Sequence, residues 1–217
     1  MRAWQVHELG DPIDCMVLDE IDDPDVGPGR VVVDVEAVGL AFPDVLQCRG
    51  EYQVKPPLPF TPGSETAGRV SAVGDDVDSA ILGRRVVALG GGLAERLVLP
   101  ASSVFEVPDV LASTKAAAVP MNYGTTWFAL HDRAHLAPGE TLLVTGAAGG
   151  VGSAAIQLGK AAGAWVIAVA GGPEKVAACT GLGADEVIDH REVDDLVARV
   201  RELTDGNGVD VAYDPVG

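Results

Sequence analysis

The chain has 217 residues, 47% of them hydrophobic, which is enough for one large domain or two small ones with a substantial core. Its net charge of −17 argues against DNA, RNA or an anionic membrane as a partner, because each of these is itself negatively charged. No stretch has the length and hydrophobicity of a membrane span, and three scattered cysteines without a secretory leader favour free thiols in a cytoplasmic protein.

Residues 1–111 predict a β-rich domain. Short runs of strand-forming residues are separated by turns rich in Gly, Pro and Asp, which is typical of a compact barrel. The predicted strands are residues 3–6, 16–19, 30–39, 65–73, 84–89 and 94–99. A helical turn is expected at 43–48, and the proline-rich stretch 51–63 is expected to be a long ordered loop of the kind that lines active sites.

Residues 112–217 predict a second domain with alternating strands and helices. Its first part belongs to a helical segment predicted at 109–135, where Ser113 or Thr114 could act as the N-cap. Strands are expected at 141–145, 165–170, 186–188 and 209–213, and helices from residue 151, at 173–182 and at 193–203. This order predicts an α/β fold with a parallel doubly wound sheet. The predicted strands correspond to about four of the six strands of a complete dinucleotide fold. We therefore expect a longer protein, truncated here at Gly217.

A strand, a glycine-rich turn and a helix follow one another in residues 141–160. Such a turn directs free backbone N–H groups and the positive end of the helix dipole toward one place, which favours a phosphate. The glycine fingerprint fits in two registers, beginning at Ala147 or at Gly150, and we prefer the first because the strand ends near Thr145. The turn predicts a dinucleotide site, with an ordinary strand–turn–helix corner as the alternative.

The same stretch carries the signature of a known family. Every position of that signature is satisfied, by Gly139, Glu140, Leu143, Ala147, Ala148, Gly149, Gly150, Gly152, Gln157 and Lys160. The chain therefore resembles the zinc-free quinone oxidoreductase (zeta-crystallin-like) branch of the medium-chain dehydrogenase/reductase superfamily. The resemblance implies an N-terminal GroES-like β-barrel domain followed by a partial Rossmann domain. It also implies a possible homodimer, joined through strands that lie beyond Gly217.

Zinc-dependent members of the superfamily hold a catalytic metal with a Cys in the loop at 40–44, a His in a Gly-His-Glu motif and a later Cys. Here the loop is Leu40-Ala41-Phe42-Pro43-Asp44, and Ser64 stands at the position of the His. Since a catalytic zinc needs three protein ligands, the resemblance implies a protein without a metal.

The end of the second predicted strand indicates which nicotinamide cofactor is bound. An NAD-preferring fold has an acidic residue there that holds the ribose 2′-OH, but this chain continues with Gly171 and Gly172. The resemblance implies that Lys175 faces a 2′-phosphate, with His190 beside the adenosine and Arg191 adding positive charge. The alternative is that Lys175 is solvated and does not contact the phosphate. The negative charge of the neighbouring Glu174 is a complication for the phosphate role. We therefore predict NADPH.

The remaining expectations concern the other site residues. The predicted cofactor contacts are Thr125, Trp127, Ala148, Gly149, Gly150, Val151, Gly171, Lys175, His190 and Arg191. The resemblance implies that Thr125 and Trp127 lie on the nicotinamide side of the cofactor, although Trp127 could equally be a core residue. Ala41 stands where relatives usually have an Asn that contacts the cofactor.

Tyr52 matches the loop tyrosine that enoyl-reductase relatives place near the substrate carbonyl, so it is the predicted proton donor. Its alternative role is to pack the proline-rich loop onto the barrel. The predicted reaction is hydride transfer from NADPH to a quinone or an α,β-unsaturated carbonyl. Two alternatives stay open: a non-catalytic, crystallin-like NADPH-binding protein, and an inactive fragment of a reductase.

Overall fold

The computed structural model describes all residues from Met1 to Gly217, and the chain divides into two compact units, Met1–Met121 and Asn122–Gly217. Residues 112–121, which the sequence analysis assigned to the second domain, group with the first unit. None of the helices has the length and apolar character needed to cross a membrane.

The first unit is built from antiparallel strands, and all six predicted strands are present. A two-stranded sheet pairs β1 (Arg2–Val6) with β2 (Met16–Glu20). A five-stranded sheet has the order β6-β3-β4-β5-β7. Its strands are β3 (Arg30–Gly39), β4 (Glu65–Val73), β5 (Arg85–Leu89), β6 (Arg96–Pro100) and β7 (Val104–Glu106). Alternate valines of this sheet, including Val31, Val33, Val70 and Val86, are buried in one core cluster, as period-two patterning requires.

A short strand and a short α-helix of this unit were not predicted from the sequence. One is the three-residue strand β7, which is too short to carry a periodic pattern. The other is the helix α1 (Pro12–Cys15), although its start signal is visible in the sequence. Asp11 is its N-cap and accepts a hydrogen bond from the N–H of Ile13, and Pro12 occupies the first helical position.

The predicted helical turn and the long loop that follows it are both confirmed. Helix α2 spans Phe42–Cys48, and no helix or strand intervenes between it and β4. The loop is ordered by Phe60, which is buried and exchanges backbone hydrogen bonds with Val6 at 2.9 and 3.2 Å. The loop is thereby attached to β1.

The segment at 109–135 is helical but broken. It contains α3 (Ser113–Ala116), α4 (Pro120–Trp127) and a π-helical stretch at Phe128–Arg133. The interruption precedes Pro120, since a proline disfavours helical geometry in the residue before it and starts a helix readily. The predicted caps are wrong: Ala112 is the N-cap of α3, and the Ser113 hydroxyl instead donates to Glu36 at 2.5 Å.

The second unit contains the predicted parallel sheet. Its strands are β8 (Thr141–Val144), β9 (Trp165–Ala170), β10 (Glu186–Asp189) and β11 (Val211–Tyr213), in the order β10-β9-β8-β11. All three strand pairs are parallel. This order is that of the first four strands of a Rossmann sheet, 3-2-1-4.

Helices cover both faces of this sheet. They are α5 (Gly150–Ala161), α6 (Pro173–Gly181) and α7 (Leu196–Leu203). Along β9, Val166 and Ala168 share a core with residues of α5 and α6, whereas Ile167 and Val169 share one with α7. Helix α7 begins at residue 196 rather than 193, because the Asp195 carboxylate caps it by accepting from the N–H of Ala198 at 2.9 Å.

Candidate nucleotide site

The turn between β8 and α5 presents an uncapped helix N-terminus. Gly149 is the N-cap of α5, and no side chain makes a capping hydrogen bond to the N–H groups at the start of the helix. Two backbone hydrogen bonds stabilise the turn. The N–H of Ala147 donates to the carbonyl of Val169 at 3.1 Å, and the N–H of Gly149 donates to the carbonyl of Gly146 at 2.9 Å. The first N–H groups of α5 are therefore available to an anionic ligand.

Two glycines of α5 lie where a Cβ would stand close to neighbouring atoms. A Cβ on Gly152 would stand 2.7 Å from the Cα of Ala147, and one on Gly150 would stand 2.5 Å from Oδ1 of Asn122. The third glycine of a dinucleotide fingerprint is the one that permits close helix packing. The position of Gly152 therefore favours the register that begins at Ala147.

A cavity of about 510 Å³ opens at the carboxyl ends of the parallel strands. This edge of an open α/β sheet is where ligands bind. Five of the predicted cofactor contacts line the cavity, namely Ala148, Gly149, Gly171, Lys175 and His190. Gly150 and Val151 lie in the first turn of α5, next to the lining residues, and are not part of the lining themselves.

The residues that end and follow β9, Ala170, Gly171 and Gly172, have no carboxylate of their own, and basic side chains lie next to them. A Cβ on Gly171 would stand 3.0 Å from Cε1 of His190, and one on Gly172 would stand 2.9 Å from Nη1 of Arg191. Lys175 lines the same cavity from α6, whereas Glu174 is exposed and does not line it. These three basic side chains form a cluster that could bind a phosphate.

Two aspartates that the sequence analysis missed organise this edge. Asp189 accepts hydrogen bonds from the N–H groups of Arg191 and Gly172, and both amides lower the pKa of its carboxyl. Asp214 accepts from the Thr145 hydroxyl and from the N–H of Val216, which lowers the pKa of that carboxyl as well. Each aspartate directly follows or ends a parallel strand, and that position could have singled them out.

The predicted nicotinamide-side residues lie on α4. Thr125 is exposed, and Trp127 is 53% exposed with its ring centred 4.1 Å from that of His131. Trp127 is thus not a core residue. The buried residue of this helix is Thr126, whose hydroxyl donates to the Val151 carbonyl at 3.1 Å and so connects α4 to the start of α5.

In the first unit, the loop and motif that zinc-dependent relatives use for metal ligands are joined by hydrogen bonds. Asp44 is buried and accepts from the Ser64 hydroxyl at 2.6 Å, from the N–H of Ala41 at 2.7 Å and from that of Gly63 at 3.2 Å. No group of three or more His, Cys, Asp or Glu in the chain is arranged to hold a metal ion.

The first unit also contains the predicted proton donor, Tyr52, and a buried carboxylate, Glu65. Tyr52 is half-buried in the turn after α2, where its N–H donates to the Leu46 carbonyl at 3.2 Å. Glu65 is 1% exposed and accepts from the N–H of Met121 at 2.8 Å. Burial raises the pKa of the Glu65 carboxyl above its ordinary value.

Comparison with known proteins identifies the family. Residues 27–109 match the alcohol dehydrogenase GroES-like domain, and residues 150–217 match the family described as zinc-binding dehydrogenase. The whole chain superimposes with a TM-score of 0.92 on a probable oxidoreductase from Mycobacterium abscessus, at 42% identity and over 70% of that protein. The chain belongs to the medium-chain dehydrogenase/reductase superfamily.

Within this superfamily the similarity is to quinone oxidoreductases. A quinone oxidoreductase from Thermus thermophilus, solved with and without NADPH, superimposes over the whole chain with a TM-score of 0.86 at 37% identity, and the chain covers 67% of it. Quinone oxidoreductase-like protein 2 homolog from Nematostella vectensis is 41% identical over the whole chain. The chain spans 59% of the length of that relative.

The residues of the second unit fit a nicotinamide dinucleotide. The uncapped start of α5 suits a pyrophosphate, because its free N–H groups and the positive end of the helix dipole favour a phosphate. The recognised GroES-like and Rossmann-like domains confirm the predicted fold class.

Proposed function

We propose that the protein is an NADPH-dependent oxidoreductase that transfers a hydride to a quinone or an α,β-unsaturated carbonyl without zinc. One observation carries the proposal: the end of β9 presents glycines next to Lys175, His190 and Arg191, where an NAD-preferring fold would present a carboxylate. Because the chain spans 59% of its Nematostella relative, the proposal concerns the activity of the whole protein. It includes a cytoplasmic location and a possible homodimer.

The cofactor would be held mainly by the second unit. Backbone N–H groups from Ala148 to Val151 would bind the pyrophosphate, and Lys175 and Arg191 would pair with the 2′-phosphate. His190 would lie beside the adenosine, and Thr125 and Trp127 on the nicotinamide side. When bound, NADPH supplies a hydride. The NADPH complex of the Thermus relative supports this choice of cofactor.

The absence of zinc is proposed from the side chains present. Ala41 has no donor atom, and the Ser64 hydroxyl already donates to Asp44 at 2.6 Å. Hard or borderline cations such as Zn²⁺ are bound by Cys, His, Asp or Glu, and a catalytic site needs three of these. Ser64, which stands at the position of a zinc ligand in zinc-dependent relatives, therefore makes a structural hydrogen bond here.

Quinones and enones are the proposed acceptors because they delocalise the negative charge that develops on oxygen when a hydride adds. The protein then has to orient the acceptor and supply at most one proton. Tyr52 is proposed as that donor, since its phenol lies in a long loop that β1 orders through Phe60.

The proposal is tested by following NADPH oxidation with 1,4-benzoquinone and with a simple enone, each with and without a strong zinc chelator. We expect acceptor-dependent oxidation that the chelator does not change. Activity that the chelator abolishes would contradict the zinc-free assignment. Binding of NADPH without turnover of either acceptor would instead favour the non-catalytic, crystallin-like alternative.

A further inference from the structure

We infer that Asp189 is a positioning residue for recognition of the nucleotide 2′-phosphate, because its carboxylate joins the start of the helix that carries Lys175 to the loop that carries Arg191. The inference rests on the proposed function, since it assumes that the cavity of the second unit takes an adenine nucleotide with a 2′-phosphate. Nothing in the family signature assigns a role to this residue.

The carboxylate of Asp189 bonds both loops at once. Asp189 is the last residue of β10 and pairs in register with Ala170, the last residue of β9. Its Oδ2 accepts from the N–H of Gly172 at 2.9 Å, and its Oδ1 accepts from the N–H of Arg191 at 3.0 Å. The loop after β9 and the loop after β10 are thus fixed to one side chain.

These bonds set the positions of the groups that would contact the phosphate. Gly172 is the N-cap of α6, so its position fixes the start of the helix that carries Lys175. Nη1 of Arg191 lies 2.9 Å from the point where a Cβ on Gly172 would stand. If either hydrogen bond were lost, the position of the Arg191 guanidinium relative to the Lys175 ammonium would no longer be fixed by Asp189.

Loss of the Asp189 charge and loss of its hydrogen bonds would change the affinity for a phosphate in opposite directions. A carboxylate near a phosphate repels it, so removing the charge alone would tighten binding. Here, however, each oxygen of the carboxylate is directed at a backbone N–H, so removing the charge also releases a loop. Asparagine at this position removes the charge and also turns an NH₂ group toward one of the two N–H groups, so the sign of the change in binding shows which effect is larger.

The test compares D189N with the wild-type chain and with D194N. Asp194 is exposed and makes no side-chain hydrogen bond, so D194N removes the same charge from the same segment without releasing a loop. Each protein is titrated calorimetrically with adenosine 2′,5′-bisphosphate and with 5′-AMP. We expect D189N to raise the Kd of the bisphosphate about tenfold and to change that of 5′-AMP less than about twofold, with D194N close to wild type.

Two results would overturn the inference. Tighter binding of the bisphosphate by D189N would mean that the charge of Asp189 matters rather than its bonds. Equal weakening of both nucleotides would mean that Asp189 has only a general structural role.

Amide hydrogen exchange separates this inference from the proposed function. We expect the N–H groups of Gly172 and Arg191 to exchange faster in D189N than in D194N, with or without nucleotide. If wild-type protein bound neither nucleotide, the proposed function would fail. Unchanged exchange at both amides would overturn the positioning role itself.

Discussion

A Cβ at position 152 would stand 2.7 Å from the Cα of Ala147, and closer still to the carbonyl oxygen of Gly146. Helix α5 therefore packs against the glycine turn at a distance that only glycine permits. This contact holds the N-terminus of α5 at the cavity, where its free N–H groups can reach a phosphate. The dinucleotide site thus depends on a backbone approach rather than on a reactive side chain.

Gly152→Ala should break this approach. The added methyl meets backbone atoms, which cannot rotate away, so we expect a loss of about 1–3 kcal/mol in the free energy of unfolding and weaker nucleotide binding. Gly124→Ala is the matched control, because nothing lies within 4 Å of its Cβ position in helix α4. Urea unfolding of both variants measures the difference. Equal stability of the two would contradict the close packing.

Gly171→Ala should weaken binding more than stability. Its Cβ would stand 3.0 Å from Cε1 of His190 and 3.1 Å from Nε of Arg191. Both are flexible side chains, so they can move aside at low cost in stability but then leave the proposed phosphate site. We expect the Kd of NADPH to rise about tenfold or more, a change of about 1.4 kcal/mol. Gly181→Ala in α6, where nothing lies within 4 Å, should leave the Kd unchanged, and a similar loss in both variants would rule out this explanation.

Tyr52→Phe should distinguish the two acceptor classes. A phenol that donates a proton is needed more for an enone than for a quinone, which accepts electrons with less proton assistance. We expect kcat/KM for the enone to fall about a hundredfold, the usual size of general acid catalysis. The quinone rate serves as the internal control and should change little. Equal losses with both acceptors would indicate that Tyr52 only packs the loop.

Glu65→Gln should change how stability depends on pH. Burial raises the pKa of Glu65 in the folded state above its unfolded value, so the folded protein binds a proton more tightly. Wild-type stability then decreases as pH rises from the unfolded pKa through the folded one, whereas Gln does not titrate and can still accept from Met121.

We therefore expect E65Q to gain stability relative to wild type as the pH rises above the unfolded pKa of a Glu, about 4.3. Glu8→Gln, at an exposed position, should show no such trend in the same urea titrations. A stability difference that stayed constant or decreased with rising pH would show that burial does not penalise the Glu65 charge.

Much of the fold follows from local patterns. Runs of strand-forming residues between turns located the strands of the first unit, and the alternation of strands and helices predicted the parallel sheet of the second. The helical segment at 109–135 was predicted as helical but not as broken, because periodicity alone does not weigh the effect of Pro120.

The polar contacts of the site were not predictable from local sequence. Thr145 and Asp214 are 69 residues apart in the chain, and Asp44 and Ser64 are 20 apart. A local pattern contains only one partner of each bond, and the other partner is supplied by the tertiary fold. Ser113 illustrates the same limit, since it was predicted as a cap but donates to Glu36 on a distant strand.

Selection of NADPH by the glycine turn and by the basic cluster of Lys175, His190 and Arg191 is tested most directly by a fluorescence titration with NADPH and with NADH. The account predicts that NADPH binds at least about tenfold more tightly, and that the double variant K175A/R191A loses this preference. A double variant with the same loss of charge in the first unit, R84A/K115A, should keep it. NADH binding as tight as NADPH binding, or a preference that survives K175A/R191A, would contradict the account.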